Sequence, residues 1–177
     1  MPEFKRLNDV NTEDFAMAWA LYERAFPLNE RRALLCHETA MRQESDFVCL
    51  SLYDNERFVG ILFYWVLSEC VYVEHLAVSE SARGQGIGKA ALKYVAQSGL
   101  PIILEIEPPS DAVSVARLRF YESAGYHRLP YEHYQLPYHR GEMPLRLELL
   151  SYPSAASSGH ITAFENDYLN RVMLYRD

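Results

Sequence analysis

The chain has 177 residues, 49% of them apolar, and a formal net charge of −7 from 17 basic and 24 acidic side chains. That length suits one domain with a single core, and the composition excludes disordered and fibrous classes. The acidic balance leaves no electrostatic footprint for nucleic acid, no apolar run approaches the ~20 residues of a membrane helix, and the opening MPEFKRLNDV lacks the apolar stretch of a signal peptide.

Taken in chain order, Phe4–Leu7 predicts a short strand. Asn11-Thr12-Glu13-Asp14 predicts a helix start, after which Phe15, Trp19, Tyr22 and Phe26 recur at helical spacing until Pro27. Asn29 is placed to cap a second helix reaching Gln43. Asp46–Tyr53 and Arg57–Leu67 are rich in β-formers and flank Asp54-Asn55-Glu56, which predicts a hairpin. Cys36, Cys49 and Cys70 lie far apart without CxxC spacing, so they read as reduced core thiols of a cytoplasmic protein rather than a disulfide frame or metal site.

Val71–Val78 predicts another strand, followed by a turn holding Arg83, Gly84, Gly86 and Gly88 and a helix over Gly86–Gln97. Strand, glycine turn and helix start together can hold phosphate. The first helical N–H groups lack partners, the dipole is positive there, and glycine lets an anion approach the backbone. The spacing excludes two familiar ligands. Gly84 to Gly88 leaves three residues between them, too few for a Walker A loop, and Ala90 follows Lys89 where that loop needs a hydroxyl. GxGxG also departs from the dinucleotide GxGxxG, and Ile106–Glu107 runs into Pro108–Pro109 instead of completing a βαβ repeat.

Pro101–Glu107 predicts the next strand. Asp111 caps a helix through Ala124, with Gly125 as its left-handed terminus. Tyr126–Leu136 and Leu145–Ser151 predict the closing strands. Residues 153–159 form a small-residue linker, and Ile161, Phe164, Tyr168, Val172 and Tyr175 share one face of a final amphipathic helix. The division is therefore a domain over residues 1–152 and a tail over 153–177 that folds back on it; a homodimer contact is the rival reading of that face.

Arg-x-x-Gly-x-Gly (Arg83, Gly86, Gly88) after Leu76-Ala77-Val78, together with ARLRFYESAGY (Ala116–Tyr126), resembles the GNAT superfamily of N-acetyltransferases over about residues 3–151. The resemblance implies an α/β (mixed α+β) GNAT fold, with a central mixed, mostly antiparallel sheet splayed between two strands and flanked by helices. It implies acetyl-CoA as co-substrate, with no metal, and transfer of acetyl to the primary amine of a small molecule or peptide by direct attack in a ternary complex. A non-catalytic acyl-CoA sensor on the same fold is the alternative function. Neither nucleic acid nor membrane is an implied partner.

By that resemblance the backbones of Leu76, Ala77 and Val78 pair with the pantetheine arm. The turn of Arg83, Gly84, Gln85, Gly86, Ile87, Gly88 and Lys89 takes the pyrophosphate, while Lys89 is equally readable as a solvated charge. Ser114 stands where relatives often carry Asn, and the chain has an insertion around Pro108–Asp111, which puts a pantetheine contact there in question.

Tyr121 is the implied general acid for the leaving thiolate; packing is its other reading. Glu74 is the candidate base, because strand alternation puts Tyr72, Glu74, Leu76 and Val78 on one face and His75 on the other. The other reading of Glu74 is a carboxylate binding an ammonium or a nearby arginine. Glu105 and Glu107 fall on one face of LEIE and would join Glu74 in an acidic acceptor pocket selecting a cationic amine, or one of them pairs with Arg117 or Arg119. His133 and His139 are not at a standard metal-ligand spacing.

Overall fold

The computed structural model describes residues 2–177. The elements run β1 (Glu3–Arg6), α1 (Glu13–Ala25), α2 (Leu34–Gln43), β2 (Phe47–Asp54), β3 (Arg57–Val66), β4 (Val71–Val78), α3 (Ile87–Ala96), β5 (Ile102–Ile106) and α4 (Ala112–Ser123). They continue as β6 (His127–Arg128), β7 (His133–Gln135), β8 (Leu145–Tyr152) and α5 (Ser158–Asn170), with 3-10 turns at Leu28–Glu30, Glu80–Ala82 and Val172–Leu174. No helix among the described residues is long and apolar enough to cross a membrane.

Local chemistry explains most boundaries. The Thr12 side chain accepts from Phe15 N at the start of α1, and Asp111 and Ser114 form a reciprocal cap at the start of α4. Asn55 and Glu56 take φ of 49° and 62°, the left-handed pair that a two-residue hairpin needs between β2 and β3. Two expectations are corrected. Asn29 lies inside a 3-10 turn and caps nothing, because buried Arg32 holds the chain extended until α2 begins at Leu34. The Tyr126–Leu136 segment splits into β6 and β7 around Pro130, which has no N–H to give a ladder.

The strands order as β1-β2-β3-β4-β5-β8-β6, with β7 also on β8. All pairs are antiparallel except β4 with β5, whose parallel register covers only Val71–Ile102 to Val73–Leu104. Beyond it β4 continues to Val78 and β5 to Ile106 without pairing, so the sheet splays there.

Helices cover both faces. On one, Phe15, Tyr22, Ala40, Phe164 and Tyr168 pack with Phe47, Phe63, Trp65 and Tyr72. On the other, Ile87, Ala91, Leu92 and Leu118 from α3 and α4 pack with Val48, Val73 and Leu104. The tail belongs to the first layer: Ile161, Phe164, Tyr168, Val172 and Met173 are all buried, and Asp167 accepts from Ser68 N and Oγ at 2.8 and 2.7 Å.

A bulge changes the faces of β4. Phe63 pairs with His75 and Tyr64 with Val73, leaving Glu74 as an extra residue. Glu74 and His75 therefore both lie on the α1/α2/α5 side, while Leu76 and Val78 pack toward α3 and α4. Simple alternation, which would group Glu74 with Leu76 and Val78, fails because the inserted residue resets the phase.

Candidate active site

The turn between β4 and α3 is built from glycines for two separate reasons. Gly84 and Gly86 have φ of +75° and +81°, which side chains resist. Gly88 has ordinary φ, but a Cβ there would come within 2.9 Å of Phe120 Cζ on α4. Arg83 N, Gln85 N and Ala90 N donate to Glu80 O, Ala82 O and Gly86 O. The amides of Gly84, Gly86, Ile87, Gly88 and Lys89 have no hydrogen-bond acceptor among the described residues. A row of free donors at the positive end of α3 can cradle an anion. Ile87 buries its side chain, so only its backbone faces the cradle, whereas Arg83, Gln85 and Lys89 are exposed. Gln85 Nε2 donates to Ser81 O at 2.8 Å. A groove bordered by Lys89, Lys93, Ser123, Tyr126 and Tyr152 runs on between α3 and α4.

The splay lies next to this cradle along β4. There Leu76, Ala77 and Val78 bond to β3 on one edge and leave the β5 edge unpaired. Tyr121 packs in the same apolar layer as Leu76, Val78 and Phe120. Its ring is half-buried and its hydroxyl has no hydrogen-bond partner among the described residues. Burial pushes that phenol up to about 12, with Arg117 opposing, so it keeps its proton at neutral pH. Ser114 is placed differently. Its hydroxyl accepts from Ser110 N and Asp111 N at 3.0 Å and donates to Asp111 Oδ1 at 2.8 Å, so it serves the α4 cap.

The carboxylates do not share an open cleft. Glu74 is wholly buried, and it accepts from Arg32 Nη1 at 2.6 Å, Trp65 Nε1 at 3.0 Å and Tyr138 Oη at 2.7 Å. Burial is the largest single effect and raises its proton affinity, but the Arg32 charge, His75 and the hydrogen bonds from Arg32 and Tyr138 together outweigh it and leave the pKa lowered. A carboxylate held this way is a weak proton acceptor. Glu105 is equally enclosed, accepting from Tyr72, His133 and Gln135 Nε2. Glu107 lies just past β5, half exposed, in an ion pair with Arg117 at 2.9 Å. His133 is thus a partner of Glu105, and His139 bridges Asp177 at 2.7 Å and Leu28 O at 3.1 Å. No group of three metal-ligating side chains occurs among the described residues.

Residues 7–126 match the Acetyltransferase (GNAT) family. The chain belongs to that family. Two similar proteins carry the name "Putative acetyltransferase". One is YjbC of Bacillus subtilis (strain 168), 31% identical over 99 residues that make up 55% of this chain and half (50%) of YjbC. The other is a GNAT-family protein of Bacteroides thetaiotaomicron, 24% identical, whose structure superposes with a TM-score of 0.88 over 97% of this chain and 98% of its own. Naa50 of Arabidopsis thaliana, solved with the bisubstrate analogue CoA-Ac-MVNAL, shares the fold at a TM-score of 0.62 and 19% identity over 85% of this chain and 97% of its own.

Within this GNAT fold the sequence reading missed Arg32, Tyr138 and Glu30. Arg32 is buried, with Nε and Nη2 donating to Tyr175 O at 3.0 Å and Val172 O at 2.8 Å. No local signal marks it, since it stands in an Arg-Arg pair in the first turn of the helix expected to start at Asn29. Glu30 belongs to the 3-10 turn between α1 and α2, half-buried, with its carbonyl 2.9 Å from His75 Nε2.

Proposed function

We propose that this GNAT protein is an acetyl-CoA-dependent N-acetyltransferase that transfers acetyl to a primary amine by direct attack in a ternary complex. The observation that carries the reading is the set of partner-free amides at Gly84 and at Gly86 to Lys89, set beside an unpaired β4 edge and an unpartnered Tyr121 hydroxyl.

The thioester supplies an activated acetyl group, and the protein supplies grip, geometry and proton transfer. The cradle amides hold the diphosphate. Arg83 and Lys89 add charge at its rim, and Lys89 and Lys93 line the groove suited to the remaining phosphate of the coenzyme. The free edge along Leu76–Val78 offers backbone donors and acceptors to the pantetheine amides, as an added strand would. Holding the thioester in the splay converts a bimolecular encounter into a positioned one. Tyr121, neutral at physiological pH, donates its proton to the departing thiolate.

Release of free thiol from acetyl-CoA in the presence of a panel of primary amines tests the reading. Amine-dependent release is expected. Tight acetyl-CoA binding with no release above background hydrolysis for any amine would favour a binding module instead.

A further inference from the structure

Four carboxylates border the splay, and three of them are held: Glu74 by Arg32, Glu105 by His133 and Glu107 by Arg117. Glu30 alone has neither an ion-pair nor a side-chain hydrogen-bond partner among the described residues. We propose that Glu30 receives the ammonium group of the acceptor and takes its proton, which makes the substrate a cationic primary amine. This inference rests on the acetyltransferase reading.

The position of Glu30 follows from both splayed strands. On the β4 side, His75 Nε2 sits 2.9 Å from the Glu30 carbonyl. A carbonyl can only accept, so Nε2 carries the ring proton, and Nδ1 is left without a partner, 4.0 Å from Glu74. His75 is buried among Tyr22 and Phe26, and burial favours its neutral form. It thus pegs the Leu28–Glu30 turn to β4 beside the bulge, where β4 parts from β5. On the β5 side, Glu107, Arg117 and Glu105 lie close enough to act on the Glu30 charge. Partial burial, then the negative Glu107, hold its proton affinity above the usual carboxylate range; Arg117 opposes them and Glu105 adds to them. The turn that carries Glu30 is therefore fixed to β4 at the gap, the side chain keeps solvent exposure within electrostatic reach of β5, and its carboxylate is a better proton acceptor than Glu74.

The steps balance. Glu30 takes one proton from the ammonium and passes it to solvent. The freed nitrogen lone pair forms the C–N bond to the thioester carbonyl carbon, and collapse of the adduct breaks the C–S bond. Tyr121 protonates the thiolate, and the second nitrogen proton, lost as the amide forms, restores Tyr121. Each turnover yields one amide, one thiol and one proton.

The test compares wild type with Glu30→Gln and Glu30→Asp, using spermidine, tyramine, glutamate and a short peptide with a free N-terminus as acceptors. Wild type should release thiol with spermidine or tyramine and not with glutamate. Glu30→Gln should keep its melting temperature and acetyl-CoA affinity, lower kcat by about 10²–10⁴-fold, and lose the acidic limb of the kcat/KM profile that Glu30→Asp retains. If Glu30→Gln does not fold, Glu30→Asp carries the test by a lowered kcat with an intact limb. Activity of Glu30→Gln within about twofold of wild type with the same limb, a raised KM alone, or preference for glutamate would overturn the proposal while leaving the acetyltransferase reading standing. Acetyl-CoA binding without thiol release from wild type for any acceptor would instead overturn that reading, and this inference with it.

Discussion

Arg32 and Glu74 form an ion pair at 2.6 Å in which neither side chain reaches solvent, between a loop after α1 and the bulge of β4, 42 residues apart. The same guanidinium ties down the carbonyls of Val172 and Tyr175 in the tail. One side chain thus joins the loop after α1, the splayed strand and the C-terminal segment.

Breaking that pair from one side should be severe. Arg32→Met leaves a buried carboxylate unpaired, and a loss of about 3–5 kcal/mol in urea unfolding is expected. Arg32→Met with Glu74→Gln should recover a large part of it. A double mutant no more stable than the single one would show that the charge pair is not what holds the site.

The pair also sets an acid limit. Although burial, the largest effect, favours the neutral form, Arg32 together with His75 and the Tyr138 hydrogen bond lowers Glu74 from an ordinary value near 4.5 to about 2, so the folded state binds this proton more weakly than the unfolded chain. Its contribution is present above the unfolded value and is lost as pH falls through the folded one. Urea unfolding across a pH series should show wild type losing stability between about pH 4.5 and pH 2, with a shallower decline in Glu74→Gln.

Gly88→Ala places a methyl 2.9 Å from Phe120 Cζ. The ring or the start of α3 must move, and a loss of about 1–3 kcal/mol is expected. Because the free amides of the cradle start that helix, acetyl-CoA affinity measured by calorimetry should fall as well. Adding Phe120→Leu should restore both, and unchanged affinity in the single mutant would separate the packing from the cradle.

Tyr121→Phe removes a hydroxyl that has no protein partner and whose burial, opposed by Arg117, lifts its pKa to about 12. Thiol release should drop by about 10–10⁴-fold while acetyl-CoA binding and melting temperature hold. An unchanged rate would take Tyr121 out of the chemistry.

Phe164 of α5 is wholly buried and packs 5.3 Å, centroid to centroid, from Tyr72. Phe164→Ala should cost about 3–5 kcal/mol, the range for emptying an aromatic core site. A change within about 0.5 kcal/mol, typical of surface positions, would mean the tail is not part of the core.

Much of the fold was legible in the residues alone. Thr12 and Asp111 announced helix starts, Asn55-Glu56 a hairpin, and the apolar stripe from Ile161 a helix with one buried side, although that helix ends at Asn170 and Val172 falls in a 3-10 turn. These signals are local, since a cap or a turn is satisfied within a few residues of itself. Boundaries failed where a distant group decided them. The start of α2 was delayed by the burial of Arg32, and the phase of β4 was reset by a bulge against β3.

The site divides in the same way. The sequence by itself determined the glycine turn, because its spacing sets the left-handed angles of Gly84 and Gly86, and the helix it announces leaves the amides of its first turn without partners. It could not determine which carboxylate is available. Glu74, Glu105 and Glu107 look alike along the chain, and only the tertiary structure assigns each a cation or donor and leaves Glu30 without one. The physical reason is range. Backbone conformation is decided within a turn of chain, whereas the proton affinity of a side chain is decided by whatever the fold packs against it.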